Sequence, residues 1–522
     1  MRSQRLGLAL LFIATLTLTG CGDLGLRAAR FRAEKLLWQA RREEQRLRLG
    51  GASPDSAGVA RLRALYRKVR DEIPVPPSDT TAPVSTQRLR LGLSRVIGEA
   101  ELSGVRLALE ARRPGEALEK ARWLMTFAGQ DTFLRREAHF RVIDALQGLR
   151  QYDEAVRQMW LALEDYPPIP PRKPDEEDPI LKMPSLIAML HQQLADTAAV
   201  RADLRRGIDY YDRLLARQPT PLLEAQVRAR LARTQADAGD RAGALATIEG
   251  LDRLVSSTPA LSPGRAEVLC SMADLQAMPG GNPQAAVAAY DEVIKDFPNT
   301  RFAPRALVGA AVVEEGAGKL KEAIARYKAV LGRYGSDEVN GPIAMYRTAM
   351  LREQLGDWPE AKQILESAPA RYPKTRVAVE APIAIVQHYQ RVGDREGMRA
   401  AFTKAIETYR RLIAADSTNG MNVGFRWNIA RCYAALDRWN DALATIDEMS
   451  ERDSGSALTA NAILEAARIC GKLGNEERRR AYLRRYLTDY PKAPQAGPVK
   501  AMLRLGGAGA APEGNAKGTR RR

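Results

Sequence analysis

Three histidines and four cysteines in 522 residues leave little material for metal or nucleophile chemistry. No HExxH helix motif, no Cys-x-x-Cys pair and no GxSxG elbow occurs, so the usual signatures of zinc sites and hydrolase nucleophiles are missing. Gly316-Ala317-Gly318-Lys319 has the outline of a phosphate loop, but position 313 is Val where such a loop needs Gly. The acidic residues are numerous, yet solvated helix faces account for them without a catalytic pair. No motif asks for a cofactor, and an enzyme is not expected. Aromatic residues make up 6% of the chain and β-branched residues are sparse, which leaves little to build strands from. Ala, Leu, Arg and Glu are plentiful and favour helix. The expected fold class is all-α.

The net charge of +17 makes polyanions physically plausible partners. The 80 basic residues are nevertheless interleaved with 63 acidic ones, as on ordinary helix surfaces. Nucleic acid is not expected, because the amino terminus reads as an export signal.

Met1-Arg2-Ser3-Gln4-Arg5 is a basic start, Leu6 to Leu18 an apolar run too short to span a bilayer, and Thr19-Gly20-Cys21 a small-residue end. Leu18-Thr19-Gly20-Cys21 resembles a bacterial lipobox. The resemblance implies a signal peptide over 1–20, a lipid-modified Cys21 and a periplasm-facing protein anchored in the cell envelope. Gly22 follows the cysteine in place of the aspartate associated with inner-membrane retention, which points to the outer membrane. Cys270, Cys432 and Cys470 are an odd number and sit in helical patterns, so buried thiols are expected in preference to a bridge between Cys432 and Cys470.

Residues 24–49 carry eight Lys/Arg against three Glu, with Leu26, Ala33, Leu37, Ala40 and Leu47 on one face. Such a helix either rests against anionic headgroups or caps the first repeat. The segment 21–73 is thus a lipidated terminus with basic amphipathic helices, and Pro74 begins a Pro-rich linker placed at 74–90.

From Leu91 to Leu505 one pattern recurs about ten times. A small anchor residue is often preceded five positions earlier by Gly, with an apolar residue four later and Pro twelve later. The anchors are Ala117, Ala155, Gly207, Ala244, Ala286, Ala323, Ala361 and Ala442, together with Met398 and Arg479, which break the small-residue rule. Three units between 282 and 373 are the clearest; their anchors Ala286, Ala323 and Ala361 lie 37 and 38 residues apart. Periods of this size signal stacked helix-turn-helix units. Small residues at the anchor and twelve before it (Ala195, Ala232, Ala311, Ala349, Ala430, Ala467) allow close helix approach. A Pro-rich insertion at 166–184 stretches one interval to 52 residues and is expected to be solvated, although loops of this kind also touch ligands. The Gly/Ala-rich, basic segment 506–522 reads as a disordered tail.

The anchor alanine, the aromatic four residues on, and the closing Phe297-Pro298, Tyr372-Pro373 and Tyr490-Pro491 resemble the tetratricopeptide repeat (TPR), in particular its bacterial envelope branch. That branch includes the barrel-assembly TPR lipoprotein and Tol-Pal-associated TPR coordinator families. The resemblance implies a right-handed superhelix of antiparallel helix pairs. Its concave wall, lined by each unit's first helix, would receive protein or peptide partners. Carried over by register, the wall would include Arg233, Tyr346, Met350, Gln387, Trp427, Arg431 and Arg468. The function expected is a lipid-anchored envelope scaffold. The alternatives are binding of an anionic polymer such as peptidoglycan or polysaccharide, and hydrolysis of one.

Overall fold

A computed structural model describes residues 2–50, 57–73, 81–129, 131–173, 176–491 and 493–505. Among them no strand forms, and the chain runs as helix after helix in two compact units, Met1–Arg265 and Ala266–Arg522. The first unit holds α1 (Arg2–Leu49), α2 (Ala57–Asp71), α3 (Val84–Glu110), α4 (Pro114–Ala128), α5 (Thr132–Gly148), α6 (Tyr152–Asp165), α7 (Met183–Gln193), α8 (Thr197–Ala216), α9 (Pro221–Asp237) and α10 (Arg241–Ser257). The second begins with α11 (Arg265–Ala277), α12 (Pro283–Asp296), α13 (Phe302–Gly316), α14 (Leu320–Arg333), α15 (Asn340–Gln354) and α16 (Trp358–Arg371). It continues through α17 (Arg376–Val392), α18 (Arg395–Ala415), α19 (Asn422–Ala435), α20 (Trp439–Arg452), α21 (Ala457–Lys472), α22 (Glu476–Asp489) and α23 (Ala496–Leu505). Among the described residues no helix is long and apolar enough to cross a membrane.

All ten anchors fall on second helices, α4 through α22, so the repeat register of the sequence is the register of ten helix pairs. Ala117, Ala155, Gly207, Ala244, Ala286, Ala323, Ala361 and Ala442 are buried, with their partners Ala232, Ala311, Ala349, Ala430 and Ala467 on the first helices. With no side chain beyond Cβ at these points the two helix axes approach, and the bulk of the core comes from residues one turn on, such as Tyr290, Tyr327 and Leu365. Ala195 is a correction. It lies beyond the end of α7, exposed and left-handed at φ 58°, and packs no helix.

The turn within each pair needs a left-handed residue to end the first helix. Gly318, Gly356 and Gly393 supply it at φ 76°, 82° and 73°. At the same register position Arg112, Arg150 and Asp437 adopt φ 55°, 59° and 60° without the freedom of glycine. Geometry is therefore conserved between repeats where residue type is not.

Three of the six helix pairs of the second unit, those closing at Tyr334, Tyr372 and Tyr490, are also tied to the repeat before by the closing tyrosine, while the other three close on Phe297, Asp416 and Asp453. Tyr334 donates its hydroxyl to the Pro298 carbonyl at 2.7 Å, Tyr372 to Gly335 at 2.8 Å, and Tyr490 to Ser454. Each bond reaches back one repeat, which is a physical reason for an aromatic hydroxyl in the closing Tyr-Pro or Tyr-Gly.

At the amino-terminal end, Leu26, Ala29, Ala33, Leu37 and Ala40 of α1 pack into one core with Leu62, Tyr66 and Val69 of α2 and Leu93 and Ile97 of α3. The inward face of α1 thus covers the first repeat. Helix α3 starts at Val84, so 84–90, read as linker from the sequence, is helix, while 74–80 lies outside the described residues. The side chain of Cys21 and the tail 506–522 lie outside them as well.

The insertion corrects a second expectation. Its middle, residues 169–173 and Glu176, is mostly exposed, but its later part, from Asp178 on, is packed into the protein. Ile180 and Leu181 are fully buried in the core, and Tyr211 donates to the Leu181 carbonyl at 2.6 Å. Asp178 is held by Arg136 of α5, whose buried Nη2 donates toward both carboxylate oxygens, and accepts the backbone N–H of Ile169 at 2.6 Å and of Ile180 at 3.1 Å. Glu177 accepts both prongs of Arg230 from α9 at 2.6 and 2.7 Å and pairs with Lys182 at 3.2 Å. Burial would raise the Glu177 pKa, but the hydrogen bonds and charges of Arg230 and Lys182 prevail and hold it below the usual carboxylate value.

Candidate interaction surface

The first helices α13, α15, α17, α19 and α21 of the second unit lie each beside the next. Their side chains three before and one after the packing alanine therefore fall on one wall. On α15 these are Tyr346 and Met350, both half-buried against the core formed by Met345, Ala349, Leu365 and Ala381. Burial, then the negative charge of Glu380 on α17, raises the Tyr346 pKa, so its phenol stays neutral and able to donate. Gln387 on α17 is exposed. On α19 Trp427 is half-buried, and the exposed Arg431 guanidinium lies 6.0 Å from its ring centre. Arg468 on α21 is exposed and paired with Glu465 on its own helix. The structure thus brings six of the seven proposed wall residues onto neighbouring first helices. The seventh, Arg233, belongs to the first unit, where it is exposed and pairs with Asp237 one turn along α9 at 3.2 Å.

Sequence reasoning missed three features of this wall. Ile343, one turn before Tyr346, is 40% exposed, and Val312 of α13 is 47% exposed, so the wall carries open aliphatic surface. The indole of Trp358 on α16 stacks on the His388 imidazole of α17 with centroids 3.4 Å apart. His388 Nδ1 in turn meets Glu353 of α15 at 2.6 Å, and Arg391 pairs with the same carboxylate. Two of these had a sequence signal, Ile343 by its i,i+3 spacing from Tyr346 and Val312 by its place one after the packing Ala311.

Most wall arginines are already partnered across or along helices. Arg305 pairs with Asp274, Arg347 with Glu315 at 3.1 Å, and Arg391 with Glu353. Arg431 makes no ion pair among the described residues and lies beside Trp427, and the wall's other distinctive content is apolar and aromatic.

Among the described residues no group of His, Cys, Asp and Glu is arranged to hold a metal ion. Each histidine has a structural partner: His139 Nε2 contacts Gln158 at 2.9 Å, His191 pairs with Asp203, and His388 with Glu353. Cys270, Cys432 and Cys470 are free and buried, and burial pushes the first two thiols up to about 11 and about 12. Thiols held protonated in this way are poor nucleophiles.

Tetratricopeptide repeat models match residues 277–338, 343–375 and 401–457, all within the second unit. Solved structures of similar chains include a tetratricopeptide repeat protein from Parabacteroides merdae, at 16% identity and TM-score 0.29 over 54% of this chain and 98% of that one. Yeast Tom70 aligns at 12% identity and TM-score 0.34 over 93% and 96%, and the apo form of the quorum sensor NprR from B. thuringiensis at 12% and 0.31 over 69% and 99%. No curated relative matches the sequence. The fold is an all-α, TPR-type helical solenoid, and repeats of this type bind protein or peptide partners.

Proposed function

We propose that the chain is a lipid-anchored envelope scaffold that holds a protein or peptide partner on the first-helix wall of its second unit. The observation that carries the binding role is the exposed and half-buried strip of Ile343, Tyr346 and Met350 on α15, with Trp427 at the equivalent place on α19. Aromatic side chains held by packing are pre-ordered anchors for an apolar ligand face. The anchoring role rests on the sequence Leu18-Thr19-Gly20-Cys21 after a basic, apolar leader. The partnered state of Arg305, Arg347, Arg391 and Arg468 weighs against an anionic polymer as main ligand, since each cation would have to leave a carboxylate first.

Replacing Tyr346 and Trp427 together with Ala is expected to weaken partner binding by about 2 kcal/mol or more, as loss of central aromatic anchors does. A weak salt dependence should accompany the wild-type interaction; a steep one with undiminished affinity in the double variant would favour the polymer. Membrane fractionation of Cys21→Ala tests the anchor separately, with release from the membrane as the expected result.

A further inference from the structure

Helix α1 has two apolar stripes, and only one is used by the fold. Opposite the buried stripe Leu26, Ala33, Leu37 and Ala40 run Leu24, Phe31 and Trp38 at seven-residue intervals, with Leu49 in the same line. These four are 65%, 67%, 59% and 83% exposed. At 3.6 residues per turn Arg27, Lys35 and Arg42 fall within about 40° of that line. All three are exposed, and none of them makes an ion pair among the described residues, whereas Arg30, Arg41, Arg46 and Arg48 of the same helix do. Arg42 sits over the Trp38 ring at 5.4 Å. The end of a repeat stack normally needs a polar outer face. Here it shows a row of large apolar side chains interleaved with three cations that make no ion pair among the described residues, and the carboxylate that flanks the row, Glu34, is taken up by Arg30.

We propose that this face seats α1 on the anionic headgroup layer of a bilayer, with Phe31 and Trp38 at the headgroup–acyl boundary and Arg27, Lys35 and Arg42 on lipid phosphates. Charge selects this occupant over a second copy of the chain, because two such faces would oppose like cations. The residues begin within one helical turn of Cys21, where an acylated chain would already bring them to the surface. The inference uses the envelope reading only to say which membrane is met; the contact is read from the face itself. A helix so held is a second attachment beside the lipid and fixes the orientation of the repeats that pack on its other side.

The test uses the full chain with phosphatidylcholine vesicles, with and without phosphatidylglycerol, and lipids brominated near the headgroup. The Trp38 contribution is the emission difference between wild type and Trp38→Phe. Expected is quenching of that difference on phosphatidylglycerol vesicles, with affinity falling about fivefold for each of Arg27→Gln, Lys35→Gln and Arg42→Gln, from ~1 kcal/mol per cation. Vesicle binding without quenching at Trp38 would overturn the proposal while leaving lipid anchoring intact. A lipid-free dimer that Trp38→Ser dissolves would overturn it in favour of self-association. Equal melting curves for the exposed-site variants confirm that folding is not what changes.

Discussion

The closing tyrosines of the two units do opposite things. In the second unit Tyr372 lends its hydroxyl to the carbonyl of Gly335 one repeat back, while in the first unit Tyr166, at the same register position after its anchor Ala155, buries a hydroxyl with no hydrogen-bond partner. Where Tyr372 is followed by one short turn into α17, Tyr166 is followed by the insertion, which carries the chain away before α7 begins. The second unit reuses one device: small residues bring two helices together, and in three of its pairs a closing tyrosine ties back to the previous repeat. The first unit replaces that tie with a polar strap in which Asp178 and Glu177 reach Arg136 and Arg230 on two different helices. In the second unit the same tie recurs three times; the insertion depends on contacts made once.

The largest effect expected from this difference is on Arg136. Arg136→Met leaves Asp178 buried without its cation and should cost about 3–5 kcal/mol, read as lost hydrogen-exchange protection in α5 to α9. The paired change Arg136→Met with Asp178→Leu should recover most of that loss, because the penalty belongs to the unpaired charge. In the second unit the equivalent injury is steric. Ala361→Leu places a branched side chain where α16 meets α15 and should cost about 1–3 kcal/mol by thermal or denaturant unfolding. An unchanged midpoint would mean that the anchors are not the close-contact points assigned to them.

Smaller, and sharper as a comparison, is the tyrosine pair itself. Tyr372→Phe should lose about 1 kcal/mol with its bond to Gly335, whereas Tyr166→Phe should be neutral or slightly stabilising, because its hydroxyl is buried without a bond to lose. Equal losses at both would refute the contrast. Acid probes the strap last. The pKa of Glu177 is depressed in the folded chain, so its contribution is present above the usual glutamate value of 4.5 and is lost as pH falls through the lower folded value. Limited proteolysis within 166–182 should accelerate over that acid window, and Glu177→Gln should flatten the dependence.

Legibility in the sequence followed the same division. The register of ten pairs was readable because most units place a small residue where two helices meet, and where Met398 and Arg479 break that rule the flanking Gly393, Gly474 and Pro491 keep the register. The left-handed turn was readable where Gly fills it and invisible at Arg112, Arg150 and Asp437. Docking of the insertion was not readable, since Arg136 and Asp178 lie 42 residues apart with nothing periodic to link them. On the wall, Tyr346 with Met350 and Trp427 with Arg431 came from carrying over the repeat register that the resemblance implies, with i,i+4 spacing putting each pair on one helix face. How much of each stays open could not, because exposure at Ile343 and Val312 depends on which apolar residues neighbouring helices cover. The stack of Trp358 on His388 joins two helices and has no signature within either one.

Whether the second-unit wall is where a partner binds can be asked directly by placing a photo-crosslinking amino acid at positions 346, 350 and 427 on the first helices, and at the exposed second-helix positions 321 and 407. Captured proteins would be identified by mass spectrometry. The account predicts one common set of crosslinked partners from 346, 350 and 427 and none of them from 321 or 407. Capture of the same partners from the second-helix positions, with nothing from the wall, would contradict it.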